Sequence, residues 1–143
     1  MGWDLWPRAR TTSWGTNAYT WRHYVGHALK FSGADMKNFS QYNMGDYVPA
    51  RVARDWADAL ENNLADLRVA VFKISPPGPE KTGFIVGKRT TEKRAKAMAD
   101  RIIGCHGEDV FEFVEFRELS EGDRKFLMQF VRFCRRSKGF WQW

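Results

Sequence analysis

His23 and His27 stand four residues apart. At that spacing two imidazoles on one helical face can share a metal ion. No Glu follows His23 in the metalloprotease arrangement, because the next residue is Tyr24. His106 and Asp35 are the candidates to complete such a site. The competing reading is two histidines with ordinary hydrogen bonds on a half-buried helix face. Cys105-His106 pairs a thiol with an imidazole, but adjacent side chains point apart. The pair also follows a helix end, whose partial negative charge opposes thiolate formation. Cys134 falls on an apolar helical face and reads as core. Asp109, Glu112, Glu115, Glu118, Glu121 and Asp123 form an acidic band. A strand over 109–117 places Glu112 and Glu118 on one face and Glu115 on the other. Carboxylate pairs do acid–base work when burial splits their pKa values. A solvated acidic edge that discourages strand pairing is the simpler reading. No catalytic residue, metal ligand or cofactor is assigned on these grounds.

Anion recognition has firmer support. Gly83 and Gly87 flank Phe84-Ile85-Val86, and Lys88-Arg89-Thr90-Thr91 follows. A strand, a glycine, cations and a helix start can cradle an anion, because helix N-termini present unpaired N–H groups. Neither the Walker pattern nor the dinucleotide glycine pattern occurs. Lys88, Arg89, Lys93, Arg94 and Lys96 crowd one stretch, and Arg124, Lys125, Arg132, Arg135, Arg136 and Lys138 crowd another. The acidic band lies between them. Segregated charge produces a directed field that steers oppositely charged partners. The tail Phe140-Trp141-Gln142-Trp143 and the N-terminal tryptophans can supply aromatic anchors.

These residues need a scaffold. The chain has 143 residues and a net charge of +6, with a pI of about 9.5. A chain of this length buries roughly two-thirds of its unfolded surface and forms a single domain, 1–143. Two cysteines make no disulfide framework, so a reducing, cytoplasmic setting is expected. No leader and no membrane-spanning apolar run is recognised.

Residues 1–17 hold Trp3, Trp6 and Trp14 among Gly2, Pro7 and Gly15, and read as an irregular segment packed on the domain. Thr16 or Asn17 caps a helix to about Phe31, stopped by Ser32-Gly33. Residues 34–47 read as a loop. Pro49 opens a second helix that buries Val52, Ala53, Trp56, Ala57, Leu60 and Leu64. Arg68–Ser75 and Phe84–Val86 read as a hairpin with a proline-rich tip at 76–79. Thr90 or Thr91 starts a third helix, ended by Gly104. Residues 109–117 read as a strand near the sheet centre, since both faces carry apolar groups. Ser120 and Asp123 resemble a capping box for the last helix. Gly139 breaks that helix, and a short terminal strand follows. The expected class is α+β: a small, largely antiparallel sheet of about three to four strands packed against about four helices.

Gly45-Asp46-Tyr47-Val48-Pro49, Ala53, Trp56-Ala57, Ala59-Leu60-Glu61 and Leu64 make one block. Phe130, Phe133-Cys134-Arg135, Ser137, Gly139-Phe140 and Trp143 make another. Together they resemble a group of small uncharacterised proteins from bacteria and their phages. The resemblance implies a mobile-element origin, and by analogy of class an action through binding and blocking a host component.

The expected function is therefore a non-enzymatic binding protein that blocks a host defence protein or sequesters a small anionic ligand. Its expected contact residues are Lys88, Arg89, Lys93, Arg94, Arg132, Arg135, Arg136, Trp141 and Trp143. A nucleic-acid-binding module on the third and fourth helices is the first alternative, without a helix-turn-helix, zinc-finger or aromatic RNA-binding signature to support it. A small metal-dependent enzyme is the second.

Overall fold

Gly2–Pro7 alternates buried and exposed side chains: Trp3 and Leu5 point inward, Asp4 and Trp6 outward. This is β1, and Trp14–Asn17 pairs with it as β2. The N-terminal segment is thus a hairpin and not irregular. Its glycines and proline hide a period-two pattern that Trp3-Asp4-Leu5-Trp6 carries. The structure, a computed structural model, describes residues 2–41, 44–75, 80–102 and 110–143.

Helix α1 follows over 18–31, in segments Ala18–Thr20, Trp21–Val25 and Gly26–Phe31. Asn17 caps it, accepting the Thr20 N–H at 2.8 Å. The middle segment is a π turn, in which the Gly26 N–H reaches the Trp21 carbonyl. Gly26 is required there, because a Cβ would lie 2.8 Å from the Phe39 ring. Trp21 stacks between Trp3 and Phe39, at 5.6 and 4.9 Å. Gly33 takes a left-handed conformation just past the helix end, as expected of a stop signal.

Asp46–Pro49 forms β3, a strand whose first two residues fall at the end of the stretch expected to be loop. Pro49 is extended and precedes the first helical residue of α2, Ala50–Asn63. Helix α2 buries Val52, Ala53, Trp56, Ala57 and Leu60 of the expected stripe, while Leu64 falls in the 3-10 turn just beyond the helix and is half-buried. Leu67–Ser75 (β4) and Glu80–Gly87 (β5) pair antiparallel, and the 76–79 tip lies outside the described residues. Helix α3 spans Glu92–Ile102, and the expected stop at Gly104 also lies outside them. Val110–Glu118 is β6, Glu121–Arg136 is α4 and Gly139–Gln142 is β7. The capping box of α4 forms in both directions between Ser120 and Asp123.

Among the described residues seven strands divide into two antiparallel sheets, in the orders β2-β1-β7-β3 and β5-β4-β6. The α+β class is therefore as expected, with the strands spread over two sheets. The inner face of the first sheet meets α1, α2 and α4 in a core built around Trp3, Trp21, Trp56, Phe130, Phe133 and Phe140. The 45–64 and 130–143 stretches pack on each other here: Trp56 touches both Phe130 and Phe140. In the second sheet β4 is central. Val69 and Val71 face the main core, while Ala70 and Phe72 face Ala95, Met98 and Ala99 of α3.

Strand β6 is an edge strand, not a central one. Val71 pairs with Glu115 and Phe72 with Phe113, so Val114 is an extra residue, a bulge. The bulge resets the alternation and turns both Phe113 and Phe116 toward α3. It also overturns the expected sharing of a face by Glu112 and Glu118: Glu112 pairs with Lys73, whereas Glu118 pairs with Arg68 on the α3 side. No helix among the described residues is long and apolar enough to cross a membrane.

Candidate ligand-binding pocket

Strand β5 ends at Gly87, and the chain reverses at once. The Thr90 N–H bonds the Gly87 carbonyl at 3.1 Å, closing a four-residue turn. Its two central residues, Lys88 and Arg89, project into solvent. The Lys88 N–H donates to the Asp66 carbonyl at 2.6 Å, which ties the turn to the short 3-10 turn Leu64–Asp66. Thr90 is buried, and Arg68 holds it from beneath: its Nη2 donates to the Thr90 carbonyl at 2.6 Å. The Arg68 guanidinium itself lies 3.7 Å from the centre of the Phe116 ring.

Thr91 then opens α3, its hydroxyl accepting the Arg94 N–H at 3.2 Å. Arg94 thus sits in the first helical turn, beside Lys88 and Arg89. Phe31, at the end of α1, completes the wall. Gly87 permits this, because a Cβ there would lie 3.0 Å from the Phe31 ring. The result is a cavity of about 670 Å³ lined by Phe31, Asp66, Gly87, Lys88, Arg89, Thr90 and Arg94. Its lining includes three cationic residues and one acidic residue. The N-terminus of α3 adds partial positive charge from its backbone dipoles. The surroundings favour an anion, and the Phe31 ring offers an apolar surface beside it.

The structure sorts the expected contact residues into separate places. Lys88, Arg89 and Arg94 line this cavity. Lys93 is exposed in the same helical turn but is not part of the lining. Arg132 and Arg136 line a smaller cavity with Trp14 and Gln129. Arg135 is engaged elsewhere, paired with Asp58 at 3.1 Å and with Glu61, both on α2. Its charge stitches α4 to α2. The pair is solvent-exposed, so Arg135→Ala should cost less than about 1 kcal/mol in urea unfolding, and less still at high salt. Trp141 and Trp143 stand on the outer face of the first sheet.

The histidine pair has a structural occupation. His27 Nδ1 lies 2.9 Å from the Ile85 carbonyl. A carbonyl only accepts, so Nδ1 carries the proton. Burial, and then the neighbouring His23, hold the His27 pKa down to about 4. His23 is also lowered, chiefly by burial. Tyr19, His23 and His27 form a column of ring contacts at 4.7 and 5.3 Å. Among the described residues no cluster of three or more His, Cys, Asp or Glu is placed to hold a metal. Cys105, His106 and Asp109 lie outside the described residues. Cys134 is fully buried, which pushes its thiol well above the usual range. In the acidic band, burial raises Asp123, but Arg117 at 2.9 Å and the Ser120 donors outweigh it and lower it overall.

Sequence reasoning found the three cations because seven residues contain them. It missed Phe31, Asp66 and Arg68. The only signal for Arg68 and Asp66 is the hairpin register, Leu67 opposite Gly87, which the chain does not reveal before it folds. No family profile, no curated protein and no solved structure matches the chain.

Proposed function

We propose that this is a non-enzymatic binding protein that sequesters a small anionic ligand in the pocket between β5 and α3. The observation that carries the reading is the convergence of Lys88, Arg89 and Arg94 on one cavity walled by Phe31. The chemistry on offer is charge and one aromatic surface. A ligand with a multiply charged group and a planar or apolar body uses both. Of the two expected modes, occlusion of a host protein and ligand sequestration, the pocket favours the second. A mobile-element origin remains part of the proposal through the two resembling blocks. Those blocks build core and place no residue in this pocket.

Calorimetric titration with inorganic pyrophosphate and with adenosine diphosphate tests the proposal. Each lost charge-assisted contact is worth about 1.5–3 kcal/mol. Arg89→Glu and Arg94→Glu should therefore each weaken binding by tenfold or more, on that same scale. Affinity should also fall as salt rises. Absence of saturable heat with either probe at low salt overturns the reading.

A further inference from the structure

The outer face of the first sheet carries a second surface, independent of the turn pocket. Trp6, Trp141 and Tyr47 are direct neighbours across β1, β7 and β3. Residues so paired project from the same face of a sheet. The Trp141 and Tyr47 rings lie 4.8 Å apart. Trp143 extends the row at the strand end, its backbone paired with Asp4 on both sides at 2.8 and 3.1 Å.

Two of these side chains abut glycine. A Cβ on Gly45 would meet three atoms of the Trp143 ring within 3.0 Å, and one on Gly139 would overlap the Tyr47 hydroxyl. Trp6 is 56%, Trp141 37% and Trp143 52% exposed. The inner residues of the same strands, Trp3, Leu5, Val48 and Phe140, are fully or almost fully buried. The core therefore does not explain the outer tryptophans.

Charge says what fits there. The stretches 5–34 and 124–143 contain no Asp or Glu. They meet where β1 leaves the sheet and β7 enters it. The Arg8 N–H donates to the Gly139 carbonyl and the Ala9 N–H to the Ser137 carbonyl, each at 2.8 Å. Arg8, Arg10 and Lys138 are exposed at this end. Among the described residues none of the three is in an ion pair. Lys138 holds a left-handed conformation in the α4–β7 turn. Asp4, the cross-strand partner of Trp143, lies over Gly15 on the β2 side, and exposed Asp46 adjoins Gly45, so the acidic groups sit at the end of the row opposite Arg8, Arg10 and Lys138.

We propose that this face binds single-stranded nucleic acid. Unpaired bases stack on the outward faces of Trp6, Trp141 and Trp143, and the phosphates run over Arg8, Arg10 and Lys138. Stacking tolerates any base, because every base has a π face, and cations along the path track the backbone. A duplex hides its base faces and should bind poorly. A neutral sugar polymer gains nothing from the cations, and an apolar protein partner leaves them unpaired.

The test uses the full chain and a fluorescein-labelled oligothymidine roughly ten nucleotides long, a usual single-strand site size. Anisotropy is read at about 50 mM salt and again at higher salt. Saturable binding should appear, with tryptophan quenching, at least tenfold tighter for the single strand than for a duplex of equal length. Trp6→Ala with Trp143→Ala, and separately Arg8→Ala with Arg10→Ala, should each weaken it about tenfold, on the scale of alanine substitution at stacking platforms. Both pairs are surface changes, and unchanged melting temperatures establish that the variants fold. Arg89→Glu should leave oligonucleotide binding within about twofold, which separates this result from the fate of the turn pocket. Four results overturn the proposal: no binding at low salt, equal binding of the duplex, binding indifferent to both pairs of substitutions, or concentration-dependent self-association abolished by Trp6→Ala.

Discussion

Trp56→Ala should destabilise the fold by about 3–5 kcal/mol, the range for deleting a large aromatic side chain from a packed core. Trp56 has no accessible surface. Its ring touches Phe39, Phe130 and Phe140 at centroid distances of 6.0, 6.5 and 6.0 Å. It thereby joins α2 to α4, β7 and the 34–41 segment. Its Nε1–H donates to the Asp35 carbonyl at 2.7 Å, and the Asp35 N–H in turn reaches the Asp55 carboxylate at 3.2 Å. Truncation opens a cavity and releases that segment together. Trp56→Phe keeps most of the volume but leaves the Asp35 carbonyl without its donor, and should cost about 1–3 kcal/mol. Urea unfolding followed by circular dichroism measures both. A Trp56→Ala midpoint within error of the wild type would mean that α2 does not pack on α4 as described.

Acid should weaken the fold through His27 before the carboxylates titrate. The folded ring stays neutral down to about pH 4, whereas an unfolded histidine takes its proton near 6.5. Between those values the unfolded chain binds more protons, so stability rises with pH there. The His27 contribution is complete above pH 6.5. It is lost progressively as the pH falls toward 4, by about 3 kcal/mol in all. The protonated ring would sit buried beside the Ile85 carbonyl, with His23, Lys30 and Arg101 adding like charge. His27→Gln removes this titrating group and should reduce the slope over that window, leaving the part that lowered His23 contributes, although its stability at pH 7 is lower. Parallel slopes for the two proteins between pH 6.5 and 4 would contradict the burial of His27.

Helices α2 and α4 were legible because each repeats apolar residues on a single face over more than three turns, with Pro49 or Ser120 marking the start. Strand β1 was obscured by its glycine and proline, and β3 by the polar residues around it. The bulge at Val114 has no local signal. Its cause is the pairing of β6 with β4, and from it follows which glutamates share a face. Charge partners were the least visible. Arg135 and Glu61 are 74 residues apart, and only the packing of α4 on α2 brings them together. Lys88, Arg89 and Arg94 were visible because one turn and one helical start contain them all. The platform of Trp6, Trp141 and Tyr47 draws on three distant strands, so the sequence showed its aromatic residues without their alignment.

Amide chemical shifts recorded while inorganic pyrophosphate is titrated into the protein address the ligand pocket most directly. Saturable shifts should concentrate at Gly87, Lys88, Arg89, Thr90 and Arg94, and should vanish in the Arg89→Glu, Arg94→Glu double variant. Shifts spread evenly over every surface cation, or persisting in that variant, would show that the anion recognises net charge and not this turn.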